Sequence, residues 1–277
     1  MSSPKISVIM SVYNGMPFLK DAVESILNQT YKNFEFIIVD DASVDNSWDY
    51  LKNLNDHRIK LIKNKKNLGL AASLNIALRQ VFDRETQTES AQGDFVARMD
   101  ADDISLPKRF EEQINFLQKN PKVMLCGTWV DLINEKGQKI GEKKYPTEDS
   151  QIKKSLAWYP AIVHPTFMSR KEFYKVLNGY EPNFDFAEEY ELMMRAKNKF
   201  KMANIPKKLL YWRFWDNRRS REFWDKMERV DFKIKLEAFK RKDFGLFYFF
   251  ILLGKFFITY ILPYKVKLLI FKTFKMI

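Results

Sequence analysis

The sequence predicts an α/β protein: a sheet whose first strands run parallel, flanked by crossover helices, followed by a basic and apolar helical extension. Three observations predict it. Short β-branched runs alternate with helix-period segments through the first half of the chain. Acidic residues stand directly after two of those runs, at Asp40-Asp41 and at Asp100-Ala101-Asp102-Asp103. Charge also changes along the chain, since residues 195–277 carry 22 Lys and Arg against 7 Asp and Glu, whereas residues 1–194 are net −3.

The elements follow in order. Ile6–Met10 reads as the first strand, and Pro17 opens a helix with apolar residues at Phe18, Leu19, Ala22, Val23, Ile26 and Leu27, close to a 3.6-residue period. Phe34–Val39 is a second strand, 45–54 a helix, Ile59–Ile62 a third strand and Leu70–Phe82 a helix. Polar residues 83–93 lack periodicity and read as a loop, and Phe95–Met99 is a fourth strand. Then the rhythm changes. A helix is expected over 107–118, a strand over Val123–Gly127, a hairpin turn at 134–137 and another strand over Ile162–Met168. An acidic cluster within 180–199 leads into a helix, and 219–242 is a long basic helix before an apolar tail.

Composition narrows the class. At 277 residues with 46% hydrophobic content, the chain can fill a core, which excludes intrinsic disorder. Its one cysteine, Cys126, lies in an apolar run, so neither an intrachain disulfide nor a cysteine zinc site can form. The first residues lack the organisation of a secretory signal, and a cytoplasmic setting is expected. The stretch Phe244–Leu262 is apolar and aromatic with Lys255 its only full charge, and basic residues flank it. Such a segment suits a helix lying in the interface of an anionic membrane, peripheral at the inner face of the cell membrane. Packing on its own domain, or homo-oligomer formation through these C-terminal helices, is the alternative. Nucleic acid is not an expected partner, because the basic excess accompanies an apolar tail and not an aromatic-interleaved sheet face.

In an open parallel sheet, ligands gather beyond the carboxyl ends of the strands. Strand one leads to Ser11-Val12-Tyr13-Asn14-Gly15, where Tyr13 can stack on a base and Gly15 permits close backbone approach. Strand two leads to Asp40 and Asp41, carboxylates able to accept a base N–H. After strand four, Asp100 and Asp102 flank one residue, so that one can reach a metal while the other holds a metal-bound water or a ribose hydroxyl. Hard oxygen ligands select Mg²⁺ or Mn²⁺, which would offset charge on a departing nucleoside diphosphate. A second cluster, Glu188-Glu189, could supply the base that deprotonates an acceptor hydroxyl, or be an acidic first helical turn favoured by the helix dipole. His164, before a proline, either faces the acceptor pocket or is a satisfied structural histidine.

In order and spacing, the stretches 6–15, 25–31, 37–43, 67–70 with Asn75, 97–103, 106–109, 164–166 and 187–190 resemble family 2 glycosyltransferases over roughly residues 4–215. The resemblance implies an inverting enzyme of GT-A fold, a Rossmann-like mixed sheet flanked by helices. Residues 1–215 would form the transferase domain, with a nucleotide-binding half to about 104 and an acceptor half over 105–215; residues 216–277 would be the C-terminal extension. It also implies a nucleoside diphosphate sugar donor, a UDP-sugar, and a glycan or lipid-linked acceptor. Tyr13 and Asp41 would lie near the base, and Asp100 and Asp102 near ribose and the metal-diphosphate. Ser11, Asn14, Asp40, Asn67, Asn75, Arg98 and Ala101 complete the expected donor contacts. The second member of the acidic pair would be the base, which makes Glu189 the first choice and Glu188 the reserve. Two departures stand out. Many relatives carry aspartate where Glu189 stands, and many follow the equivalent of Arg213 two positions later with histidine, where this chain has Trp215. Trp215 cannot ligate a metal, whereas Arg213 could pair with the diphosphate.

Other classes remain open at this point. A nucleotidyltransferase would place a Gly-rich basic loop after its first strand, whereas 11–18 has one glycine and no Lys or Arg. A glycoside hydrolase would flank its bond with two carboxylates, and a non-catalytic nucleotide-sugar-binding module would bind donor without turnover.

Overall fold

The computed structural model describes residues 5–82, 94–215 and 224–261. The expected loop over 83–93 and the residues 219–223 assigned to the long basic helix lie outside the described residues.

The first half is built as the pattern predicts. Strands β1 (Ile6–Val12), β2 (Phe34–Asp40), β3 (Ile59–Lys63) and β4 (Phe95–Arg98) are parallel, in the order β3-β2-β1-β4. Period-two alternation sends Ile6, Val8, Met10 and Val12 to one face, against helices α1 (Leu19–Leu27) and α4 (Arg109–Lys119). Ile9, Ile37 and Val39 face the other side, against α3 (Leu70–Phe82). Every residue of β2 is buried, as a strand covered on both faces should be. Short α2 (Ser47–Lys52) connects β2 to β3. Helix α1 starts at Leu19, two residues later than expected, because Gly15 O accepts from the amides of Phe18 and Leu19 and closes a turn first.

Beyond residue 104 the sheet becomes mixed. β5 (Ile104–Ser105), β6 (Val123–Ile133), β7 (Lys139–Lys143), β8 (Met168–Arg170) and β9 (Lys201–Arg213) extend it, and β8 runs antiparallel to both β4 and β6. The strand expected over Ile162–Met168 is instead a 3₁₀ turn at His164–Thr166, followed by the three residues of β8. Pro165 has no amide for a ladder, and Thr166 closes the turn on Val163 O through its amide at 2.9 Å and its hydroxyl at 2.7 Å. β6 runs six residues past its expected end, paired in parallel with β9, which Pro206 and two lysines disguise in the sequence.

Helices α5 (Asp149–Ser155), α6 (Lys171–Leu177) and α7 (Glu188–Ala196) belong to the second half. The C-terminal extension is α8 (Trp224–Lys240), then α9 (Tyr248–Phe256) running into a π-helical turn over Phe257–Ile261. Ile234, Ala238 and Tyr248 join the same buried cluster as Leu192 and Met193 of α7, so the extension packs directly on the domain. Lys255 turns inward to pair with Glu228 and Asp231 at 2.7 and 2.6 Å. Among the described residues no helix is long and apolar enough to cross a membrane.

Candidate active site

The loops leaving β1 and β2 are stitched together. The Asn14 amide donates to Ser43 Oγ at 3.0 Å, Asn14 Oδ1 accepts from the Val44 amide at 2.9 Å, and the Gly15 amide donates to Ser47 Oγ at 2.8 Å. Asn14 adopts φ 50°, a left-handed conformation that asparagine tolerates better than most residues. Ser11 is the one half-buried residue of β1, and Tyr13, just after the strand, is exposed.

The two aspartates after β2 divide their work. Asp41 is buried and accepts from Asn64 Nδ2 at 2.7 Å, the Leu68 amide at 2.8 Å and the Gly69 amide at 2.9 Å. Its carboxylate therefore pins the Asn67–Gly69 loop, where the sequence suggested contact with a base. Asp40 accepts from the Ser43 amide at 3.3 Å through Oδ2, and its buried Oδ1 has no hydrogen-bond partner. Asn67 accepts from the Gly69 amide at 3.1 Å. Asn75 is turned away from this mouth: its amide donates to Tyr180 O and its Oδ1 accepts from the Tyr180 amide, both at 2.8 Å. It clamps α3 to the segment before α7 instead of facing the donor loops.

The acidic turn after β4 is more crowded than its sequence suggested. Asp100, Asp102 and Asp103 each offer an oxygen within 4.8 Å of the others. Arg98, fully buried, forms an ion pair with Asp100; burial opposes its charge, but the neighbouring carboxylate more than offsets this and raises its pKa. Asp102 accepts from Trp215 Nε1 at 3.0 Å. Burial and the Asp100 charge push the Asp102 carboxyl up, and the Trp215 hydrogen bond opposes that. Asp103 accepts the Arg213 amide at 2.8 Å, and burial followed by its two acidic neighbours holds it well above the usual carboxylate range. Ala101 separates the pair and packs against the apolar layer under β1.

Arg213 is placed behind this turn, not in front of it. Its guanidinium donates to the carbonyls of Asp102 at 2.8 Å and Glu135 at 3.0 Å, reaches Asp21 at 3.3 Å, and lies over the Phe18 ring at 4.4 Å. Where the sequence suggested a diphosphate contact, the guanidinium braces the backbone of the acidic turn. Arg109, which the sequence analysis left without a role, is a second brace: it donates to Pro165 O at 2.7 Å and Arg98 O at 2.9 Å, tying β4 to the His164 turn. Burial lowers its pKa to about 9.

The second acidic pair begins α7, where Glu188 is buried and Glu189 partly so. His164 Nδ1 stands 3.8 Å from Glu188 and 4.0 Å from Glu189, and its Nε2 meets Tyr180 Oη at 2.9 Å. Burial, then the charge of Glu188, pushes Glu189 up to about 8, while Arg98 pulls the other way. Burial and Arg98 together hold His164 well below its ordinary value, so it is neutral. Arg98 thus stands electrostatically between the two acidic clusters. Tyr174 and Tyr180, hydrogen-bonded Oη to Oη at 2.9 Å, complete the site and carried no motif signal.

The donor set at the acidic turn fits a hard divalent cation: three clustered carboxylates, two of them with pKa raised by burial and then by the like charge of their neighbours.

Known proteins share this architecture. An uncharacterized glycosyltransferase of Haemophilus influenzae is 31% identical over 245 residues, covering 84% of this chain and 73% of its own length. The O-antigen biosynthesis glycosyltransferase WbnJ of Escherichia coli is 35% identical over 200 residues, 70% of this chain and 72% of that protein. Among solved structures, S. aureus TarS 1-349 in complex with UDP-GlcNAc has a TM-score of 0.66 at 19% identity, over 91% of this chain and 72% of that one. The mannosyltransferase PcManGT of Pyrobaculum calidifontis, in complex with GDP-Man and Mn²⁺, has a TM-score of 0.63 at 19% identity, over 92% and 70%. The mixed sheet flanked by helices is accordingly the GT-A fold. A model of the family described as Glycosyl transferase family 2 matches residues 7–177, and with relatives at this level of identity the chain belongs to that family and is a glycosyltransferase.

Proposed function

We propose that the enzyme transfers one sugar, with inversion, from a UDP-sugar to a hydroxyl of a glycan or lipid-linked acceptor, using Mn²⁺ or Mg²⁺. The observation that carries this reading is the pairing of two acidic clusters through Arg98: a carboxylate turn suited to a cation, and a carboxylate pair on α7 in which Glu189 has raised proton affinity. The nucleotide-sugar complexes of TarS and PcManGT support the donor class, and the latter's Mn²⁺ supports the ion. The name of WbnJ supports a surface-glycan setting.

Asp100 and Asp102 would hold the ion, with Asp103 behind them; when bound it neutralises charge on the departing diphosphate. The protein's own part is proton removal and alignment. Glu189 accepts the acceptor's hydroxyl proton as that oxygen bonds to the anomeric carbon and the bond from that carbon to the diphosphate oxygen breaks. A single displacement inverts the centre. Tyr13, exposed just after β1, would stack on the base, a reading supported by its free ring and by the buried Asp40 oxygen that has no hydrogen-bond partner. Peripheral attachment to an anionic inner membrane face is proposed through the outward aromatic side of α9.

Nucleoside diphosphate release, measured with a panel of UDP-, GDP- and dTDP-sugars and Mn²⁺, tests the reading. Asp102→Ala should lose nearly all activity and Glu189→Gln should bind donor without transfer, both remaining folded. Wild-type turnover in either overturns its assignment, and donor binding without turnover in the native chain would indicate a non-catalytic module.

A further inference from the structure

We infer that His164 is a positioning residue for the base: Tyr180 fixes its tautomer so that the Nδ1–H faces the Glu188–Glu189 pair and aims the Glu189 carboxylate. The inference rests on the assignment of Glu189 as base. A neutral imidazole has one N–H and one acceptor nitrogen, and the tautomer follows from what each nitrogen meets. Nδ1 faces two carboxylates, groups that accept hydrogen bonds when ionised. In the ionised state in which Glu189 acts as base, a lone pair there would repel them, so the proton then belongs on Nδ1. Nε2 must then accept, and Tyr180 Oη at 2.9 Å is its donor. Tyr180 Oη in turn accepts from Tyr174 Oη at 2.9 Å. The result is one directed chain, Tyr174 to Tyr180 to His164 to the carboxylates.

Rigid packing holds this chain. The His164 ring meets Phe167 edge-on with centroids 5.0 Å apart and Tyr180 at 5.5 Å. The Tyr180 backbone is clamped on both its amide and its carbonyl by Asn75, and Arg195 donates to the Gly179 carbonyl at 2.9 Å. His164, Tyr174 and Tyr180 are all at least nine-tenths buried, so water does not compete for these bonds. The 3.8 and 4.0 Å separations are longer than a hydrogen bond, a spacing usual before substrate tightens a site. Arg98 and Asp100 are the other charged groups acting on Glu189. Arg98 is tied to Asp100, and the neutral histidine stands beside the pair.

Steady-state kinetics on the full chain test this. His164→Ala and Tyr180→Phe should each lower kcat about tenfold to a hundredfold, the range for losing a hydrogen bond to a charged group, and leave the KM for donor unchanged. His164→Asn, whose amide nitrogen falls near Nδ1, should recover part of the loss. Tyr180→Phe should add little to His164→Ala, because the hydroxyl acts only through the ring. Additive losses, a matching rise in donor KM, or no advantage of asparagine over alanine would overturn the inference. Should His164→Ala fail to fold, Tyr180→Phe against His164→Asn completes the same cycle. An active Glu189→Gln would instead sink the base assignment beneath it, an outcome separate from additivity in the cycle.

Discussion

Trp215 Nε1 donates to Asp102 Oδ2 at 3.0 Å, so the residue that stands where relatives often carry histidine grips the acidic turn by a carboxylate and not through a metal. Its ring meets Phe18 edge-on with centroids 5.5 Å apart, and the Arg213 guanidinium lies over the same Phe18 ring at 4.4 Å. The end of β9 thereby closes over the turn after β4.

Trp215→Phe should keep the ring contact and remove the donor. Asp102 then loses the hydrogen bond that opposes its raised pKa, and its oxygen is less well aimed. A bond of this charged kind is worth about 1.5–3 kcal/mol. Activity at limiting Mn²⁺ should fall about tenfold and recover at high Mn²⁺. A manganese titration of turnover checks it, and an unchanged titration midpoint counts against the grip.

The raised carboxyl of Glu189 predicts the pH dependence. As base it must be ionised, so kcat should climb with pH through about 8 and level off above. Glu188→Gln removes the adjacent like charge and should move that midpoint down. Stability should run the opposite way. The folded-state pKa of about 8 exceeds the ordinary 4.5, so between those values the native state holds a proton that the unfolded chain has released. The group's contribution is therefore fully present below about 4.5 and lost as pH rises through about 8. Glu189→Gln should flatten that slope; urea midpoints from pH 5 to 9 decide the matter.

Much of this was legible because parallel strands covered on both faces leave a local record. The buried run Phe34–Asp40 and the acids at strand ends can be read without knowing any partner. The second half resisted for a physical reason: its contacts are distant. Tyr180 is fixed by Asn75, 105 residues away, and Arg213 by the Asp102 carbonyl, 111 residues away. The sequence suggested Asn75 and Arg213 as donor contacts because both lie at or beside recognisable motifs, yet their side chains satisfy backbone groups. Arg109 lies in the matching stretch 106–109, but the stretch alone assigned it no role, and Tyr174 lies outside every such stretch. The His164 turn reads as a strand because Ile162 and Val163 carry β propensity, while the decisive bond, from Thr166 to Val163, is local but unpatterned.

Asn75 gives the sharpest test of these braces. Asn75→Asp keeps an oxygen for the Tyr180 amide but replaces the donor with a second acceptor against Tyr180 O. Asn75→Ala leaves two backbone groups without partners, at about 1–3 kcal/mol for each left buried. Both should lower stability and also kcat, since Tyr180 orients His164, with donor affinity held. Calorimetry alongside donor titration separates this from a role in donor binding, which would show first as weakened affinity.

The outward face of the C-terminal helices supplies the last prediction. Leu246, Phe247 and Phe250 are 92%, 71% and 64% exposed, and Phe257 and Ile261 continue the strip. Lys240, Arg241 and Lys242 precede it in sequence, a basic flank for anionic headgroups. Lys255, the one charge within the apolar run, does not interrupt the strip because Glu228 and Asp231 hold it on the inner side. Phe247→Glu with Phe250→Glu should therefore leave fold and turnover on a soluble acceptor intact while weakening binding to phosphatidylglycerol vesicles, about tenfold or more for each ring withdrawn from the interface. Lys255→Ala should do the reverse. It takes the ammonium from largely buried Glu228, at a cost of up to about 3–5 kcal/mol, leaves Asp231 with Lys235, and loosens α9 from α8 before any lipid is involved. Vesicle co-sedimentation and sedimentation velocity, run on both variants, distinguish a lipid surface from self-association: if the double variant alters only the oligomeric state, a second copy of the chain, and not a bilayer, covers the strip.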